Sequence, residues 1–260
     1  MTLRDTLRRV AYSLYERRLR RRGATVDPPR HIGVILDGNR RWAREAGLAD
    51  PSDGHRVGAA KIVDLLDWSQ EAGVELVTLF LLSTDNLDRP AAELDQLLEI
   101  IASAVEGLAA PDRRWRLRVV GNPDALPRAI AERIEEAASS TAARDGMQVN
   151  VAIGYGGRQE IADAVRKLLL RHAEAGTSIE ELAEVLDVDH IAEHLYTSGQ
   201  PDPDLVIRTS GERRISNFLL WQSAYAEFLF TETLWPDFGP DKLRAAIEDY
   251  ASRRRRFGGR

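Results

Sequence analysis

The chain has 260 residues, of which 43% are apolar and 30% charged, a balance that fits one globular domain. It holds no cysteine, which excludes disulfides, thiolate nucleophiles and Cys-ligated zinc or iron–sulfur centres. Residues 1–22 carry +6 and residues 253–260 carry +5, so the span between them carries −16 within an overall charge of −5. An acidic body of that kind is a poor surface for following a nucleic-acid backbone, and no nucleic-acid partner is expected.

Residues 1–30 read as a basic N-terminal helix and linker. Leu3, Leu7, Val10 and Leu14 fall at helical spacing opposite arginines, and Pro28-Pro29 ends the segment. Two readings stand: peripheral contact with anionic lipid at the inner face of the cell membrane, or packing on the chain's own domain. No apolar run approaches the ~20 residues of a bilayer span. The start of the chain lacks a signal peptide's apolar core, which predicts a cytoplasmic protein. Residues 31–260 read as one domain.

That domain begins with His31-Ile-Gly-Val-Ile-Leu-Asp-Gly-Asn-Arg-Arg-Trp42. Val34, Ile35 and Leu36 predict a buried strand that delivers Asp37 to its carboxyl end, where open α/β sheets bind ligands. A carboxylate there can hold a divalent cation, and the backbone N–H groups of Gly38, Asn39 and the following helix can face an anion. Arg40 and Arg41 add fixed positive charge. Alone, the segment reads equally well as a tight loop.

Five more strands follow, at Val74–Leu82, Trp115–Val120, Gln148–Ile153, Asp204–Arg208 and Glu227–Thr231. Helical patterns separate them at His55–Ala72, Pro90–Leu108, Pro123–Arg144 and Arg158–Ala175, then a shorter pair within Ile179–Tyr196 and a last one near Pro240–Arg253. The alternation predicts a single α/β domain around a central, mainly parallel six-stranded sheet with helices on both faces.

Two further clusters sit at strand ends. Ser83, Thr84 and Asn86 offer hydroxyls and an amide directly after the second strand, and Arg89 adds a cation; an ordinary loop and helix cap read the same way. Arg208 ends the fifth strand, and Arg213, Arg214 and Ser216 follow within a glycine-containing turn, a set suited to bidentate phosphate binding. Glu227, a carboxylate within an apolar and aromatic run, is expected to meet a cation or an arginine. His190 and His194 lack the zinc-protease pattern, and Gly154-Tyr-Gly156-Gly157 lacks dinucleotide spacing and reads as a tight strand-to-helix turn.

Six segments in order, HIGVILDGNRRWA, GHRVGAAK, LLSTDNLDRP, NVAIGYGGR, DLVIRTSGERRISNFLLWQSAYAEFLF and LWPDF, resemble the cis-prenyltransferases, the undecaprenyl diphosphate synthase family, over nearly the whole of residues 31–260. The resemblance implies a homodimeric, Mg²⁺-dependent enzyme with an apolar tunnel. Such an enzyme condenses isopentenyl diphosphate with an allylic diphosphate and forms a cis double bond. Asp37 would be the essential carboxylate, sharing Mg²⁺ with Glu227. Gly38, Asn39, Arg40, Arg41, Trp42 and His55 would line the allylic diphosphate pocket. Asn86 would help remove a proton, with Ser83, Thr84, Asp85 and Arg89 around it. Arg208, Arg214, Ile215 and Ser216 would bind isopentenyl diphosphate, and Arg256 would reach the partner subunit's site.

Departures from the family pattern are Arg40 for glycine, Asp85 for Glu and Leu87 for Trp, and the loop Ala49–Asp53 before Gly54 holds no arginine. Leu81 stands where long-chain members carry a small residue, so a leucine on the tunnel wall is expected to stop the growing chain early. The pattern is most similar to the short-chain actinobacterial members, the (2Z,6E)-farnesyl diphosphate synthases, which extend geranyl diphosphate. A long-chain decaprenyl or undecaprenyl product, or a non-catalytic subunit of a hetero-oligomer, are the alternatives.

Overall fold

In a computed structural model, which describes residues 27–253, six strands form one sheet. They are β1 (His31–Ile35), β2 (Leu76–Ser83), β3 (Arg116–Val120), β4 (Gln148–Tyr155), β5 (Leu205–Arg208) and β6 (Glu227–Phe230). Their order is β3-β4-β2-β1-β5-β6, and every adjacent pair is parallel. Central β1 is buried at all five positions, whereas the edge strand β3 alternates and β6 stays partly exposed. That contrast is what covering both faces of a parallel sheet requires.

The helices are α1 (Asn39–Glu45), α2 (Ser52–Glu71), α3 (Ala91–Leu108), α4 (Arg128–Ser139), α5 (Gly157–Glu174), α6 (Ile179–Val185), α7 (Val188–Ala192) and α8 (Pro240–Ser252). Leu65 of α2, Leu98 of α3, Ile134 of α4 and Leu243 of α8 join Val34, Val77, Val149 and Ile207 in the larger core. The other face holds a smaller, aromatic core, in which Phe80 stacks on Phe218 at 4.7 Å between ring centroids and Tyr155 meets both edge-on. The expected fourth helix is shorter than its pattern. A 3₁₀ turn at Pro123–Ala125 precedes it, and Pro127, unable to continue a helix from its amino side, sits at the N-cap of α4.

The β2–β4 ladder carries two irregularities. Phe80 pairs with Ala152 and Leu82 with Ile153, which leaves Leu81 as an extra residue; Ser83 then pairs with Tyr155, which leaves Gly154 as an extra residue on the other strand. Gly154 has φ +58, and a Cβ there would meet the Asn122 carbonyl at 2.9 Å, so glycine fits the bulge. The two bulges offset each other in register, and the first brings Leu82 onto the same face of the sheet as Val77, Leu79 and Leu81. The N-terminal helix expected at residues 1–30 lies, up to Val26, outside the described residues.

Candidate active site

The chain runs from β1 to β2 on one side while β5 pairs on the other, so the carboxyl end of β1 is where an open sheet leaves a crevice. A cavity of about 460 Å³ opens there. Ile35 is level with Arg208, and two residues later Asp37 reaches it: Arg208 Nη2 donates to Asp37 Oδ2 at 2.7 Å. Arg208 is only 4% exposed. Its Nη1 donates to the Arg214 carbonyl at 2.6 Å and to Ser216 Oγ at 2.7 Å. One buried guanidinium therefore ties the strand-end carboxylate to the loop bearing Arg214 and Ser216. Breaking such a pair by removing one partner leaves an uncompensated buried charge, which costs several kcal/mol.

Asp37 is held from behind as well. The Thr209 hydroxyl accepts its N–H at 2.9 Å and donates to its carbonyl at 2.6 Å, and the Trp235 N–H donates to the same carbonyl at 3.1 Å. The Gly38 N–H, expected to face an anion, instead donates to Asp37 Oδ1 at 2.7 Å. Gly38 has φ +105, and a Cβ there would meet Leu234 Cδ2 at 2.9 Å; no other residue makes this turn without strain. Asn39 Nδ2 donates to the Leu36 carbonyl at 2.9 Å. The close approach of α2 to this turn depends on Gly54 and Gly58, whose added Cβ atoms would lie 2.1 Å from the Asn39 carbonyl and Oδ1 respectively. A glycine pair inside a helical pattern was the one available sign of that contact.

Cations surround the rest of the mouth. Glu93, in the first turn of α3, bridges Arg40 at 3.0 Å and Arg89 at 2.8 Å. Arg41 Nη1 donates to the Ser210 carbonyl at 3.0 Å, and Arg214 is paired with Glu212. Burial first, and then the nearby Arg89 and Arg40 charges, push the His55 imidazole down to about 4, so it is neutral at physiological pH. Ser83 and Asn86 form a reciprocal cap on the 3₁₀ turn Thr84–Asp88: each side chain accepts the other's backbone N–H at 3.2 Å. Seven buried side-chain polar atoms lack a partner among the described residues. Asn39 Oδ1, His55 Nε2 and Arg208 Nε, three of them, belong to residues that line this cavity. Unsatisfied buried atoms concentrated at one place mark where a polar ligand belongs.

Beyond the polar mouth the cavity is apolar, lined by Ile62, Leu81, Leu97, Ile100, Ile101 and Ala104. Arg44, Gly58, Ala59 and Trp235 also line it and were not singled out in the sequence. Of the expected residues, Asp37, Gly38, Asn39, Arg40, Arg41, His55, Leu81, Ser83, Asp85, Asn86, Arg89, Arg208, Arg214 and Ser216 share the cavity.

Four expected residues do not line it. Trp42 turns away and donates Nε1 to Asp237 at 2.9 Å. Thr84 packs toward Gly156, and Ile215 is not among the lining residues. Glu227 stands further off. It opens β6 level with Leu205, three residues short of the position level with Arg208, and β6 lies two strands from β1. That places it about 10 Å down the sheet from the mouth. It pairs with Arg253 at 2.6 Å, the arginine its setting demanded. Arg256 lies outside the described residues.

A family model described as putative undecaprenyl diphosphate synthase matches residues 35–258. The chain is 58% identical over 252 residues to a (2Z,6E)-farnesyl diphosphate synthase of Thermobifida fusca, covering 97% of this chain and 98% of that protein. It is 54% identical over 257 residues to isoprenyl transferase 1 of Corynebacterium diphtheriae, covering 99% and 97%. Among solved structures, lavandulyl diphosphate synthase from Lavandula x intermedia in complex with dimethylallyl diphosphate superposes with a TM-score of 0.81 at 34% identity, covering 89% of this chain and 98% of that one.

Proposed function

The chain belongs to the undecaprenyl diphosphate synthase family of cis-prenyltransferases, and from that membership we propose that it condenses isopentenyl diphosphate with geranyl diphosphate to give (2Z,6E)-farnesyl diphosphate and diphosphate. The observation that carries this reading is the Arg208 junction. One buried cation joins the Asp37 carboxylate to the Arg214–Ser216 loop, between a cationic mouth and an apolar interior. Two diphosphates and one hydrocarbon chain are what such a cavity can hold.

The donors fit Mg²⁺. The ion is commonly held by one or two carboxylates together with substrate phosphate oxygens, and Asp37, with 38% of its side chain exposed, supplies one carboxylate at the mouth. Among the described residues no group of three or more acidic or histidine side chains forms a cage, so the remaining ligands would come from substrate and water. When bound, the ion stabilises the negative charge that grows on the departing diphosphate. Arg40, Arg41 and Arg89 bind that diphosphate and contribute in the same sense, fixed in place before the C–O bond breaks. Arg208, Arg214 and Ser216 hold the incoming isopentenyl diphosphate. Asn86 assists removal of the proton that leaves once the new carbon–carbon bond has formed. The apolar wall from Ile62 to Ala104 excludes water from the allylic cation and serves as the tunnel for the hydrocarbon.

Product length follows from Leu81. Leu81 lines the same cavity as Ile101 and Ala104, which supports a leucine side chain that a lengthening hydrocarbon would meet. The names of the close relatives support the short product. Homodimer formation is also proposed, supported by the partly exposed edge strand β6, with Tyr225 78% and Phe230 37% exposed. No helix among the described residues is long and apolar enough to cross a membrane; a cytoplasmic location with peripheral membrane contact is proposed from residues 1–22 alone. Incubating the purified protein with Mg²⁺, geranyl diphosphate and labelled isopentenyl diphosphate tests the function. A single farnesyl-length product is expected. No turnover contradicts the enzyme, and products longer than about twenty carbons contradict the Leu81 stop.

A further inference from the structure

Arg208 anchors the Arg214–Ser216 loop from the sheet side; something must fix it from the other. The backbone N–H of Gly157, the first residue of α5, donates to the Asn217 carbonyl at 2.7 Å, and the N–H of Arg158 donates to Asn217 Oδ1 at 2.9 Å. Asn217 thus caps α5 from outside its own chain segment, satisfying two N–H groups that a helix end leaves open. It does so at φ +64, next to Ser216 at φ +47. Asparagine tolerates this left-handed conformation better than other side chains apart from glycine. The fit is close: a Cβ on Gly156 would lie 2.8 Å from both Asn217 Nδ2 and Thr84 Oγ1, and one on Gly157 would lie 2.8 Å from Leu220 Cγ. The Gly156-Gly157 pair, which reads in the sequence only as a tight turn, is therefore the surface on which this loop is seated.

We propose that Asn217 is a positioning residue for the incoming isopentenyl diphosphate: by capping α5 from a left-handed backbone, it holds Ser216 and Arg214 at the spacing that the substrate's phosphate oxygens require. The inference rests on the reading that Arg214 and Ser216 bind that diphosphate. Asn217 touches no substrate in this account and acts through its neighbours. Gln222, a few residues on, donates to the buried Glu160 of α5 at 3.1 Å, so the chain that follows the loop is tied to the same helix a second time.

The test is steady-state kinetics on Asn217→Ala, Asn217→Gly and Asn217→Asp, with Arg214→Ala as reference and Tm measured for each. Asn217→Ala raises KM for isopentenyl diphosphate by about tenfold, the size of a lost cap, and leaves KM for the allylic diphosphate within about twofold. Asn217→Asp keeps both the acceptor and a tolerated left-handed backbone and restores KM to within about threefold of wild type. Asn217→Gly keeps the backbone and loses only the side-chain cap, so it folds and falls between the two. The proposal is overturned if Asn217→Ala leaves the isopentenyl KM unchanged, if both KM values rise together, or if Asp is as damaging as Ala. If Arg214→Ala also leaves that KM unchanged, the diphosphate reading of the loop fails, and the positioning role fails with it.

Discussion

The two walls of the cavity are built in opposite ways. On the β1 side a regular strand runs into a helix through a single left-handed residue, Gly38, and the polar groups are paid out in short local bonds. On the β5 side no helix follows the strand. The loop carries four non-glycine residues at positive φ, Ser210, Ser216, Asn217 and Leu219, the only such residues among those described. Strained backbone of this kind persists only where the surroundings fix it, and here Arg208 and the first turn of α5 do so from either side. Distant contacts hold both walls, Thr209 and Trp235 at Asp37 and α5 at Asn217, but only the second wall needs them to keep several non-glycine residues in a left-handed backbone.

That difference makes the walls break differently. Arg208→Ala severs the link between them, leaving Asp37 and Ser216 without their shared donor. We expect kcat/KM to fall on the order of 10²–10³-fold, with KM for isopentenyl diphosphate carrying much of the loss; steady-state kinetics with each substrate varied in turn checks this. Gly38→Ala attacks the first wall by adding one methyl at φ +105 against Leu234 and Ser210. It is expected to cut turnover about tenfold or more and to lower Tm by about 2–8 °C, from a strain of roughly 1–2 kcal/mol, which a thermal melt reports. The same change in the second wall, at Gly211, meets a left-handed backbone too, at φ +78, but its methyl faces the movable end of the Glu232 side chain, and it is expected to lower Tm by less than Gly38→Ala does. Leu81→Ala leaves both walls intact and opens the space behind them. Products on a geranyl primer are expected to lengthen by one or more isoprene units with kcat within about threefold, read by chromatography of the dephosphorylated alcohols.

The smallest expected effect on turnover concerns the opposite end of the sheet. His31 is buried between the Pro201 carbonyl and the Thr78 hydroxyl, each at 2.8 Å, and burial lowers its imidazole to about 4. The unfolded chain takes up this proton near its ordinary value of 6.5, but the folded one does not until about 4. Its contribution to stability is therefore complete above pH 6.5 and is lost as pH falls toward 4, by about 3 kcal/mol at most. A His31→Gln variant should show a shallower loss of stability than wild type across that window in urea titrations, with no change in KM at neutral pH.

The sequence exposes the regular parts of this molecule. Five of the six strands lie within about two residues of where β-branched runs and turn residues place them, while β1 starts three residues before the expected Val34, and Asp37 and Arg208 are legible because each ends an apolar run. What could not be read depends on contacts between distant segments. The bulges at Leu81 and Gly154 arise only when β2 and β4 pair. The need for glycine at Gly38 arises because Leu234 and Ser210, far along the chain, occupy the space a Cβ would take. Glu227 opens β6 level with Leu205, a register that only the pairing of β5 with β6 reveals. Side-chain type was a sound guide to pairing there, since an arginine does meet it, but gave no information on position.

The central claim is that Asp37, held by Arg208, drives departure of the allylic diphosphate. Single-turnover kinetics on Asp37→Ala, with both diphosphates and Mg²⁺ saturating and their binding confirmed by calorimetry, tests it most directly. The account predicts that both substrates still bind while the chemical step slows on the order of 10³-fold. A variant that binds both and turns over at the wild-type rate contradicts it.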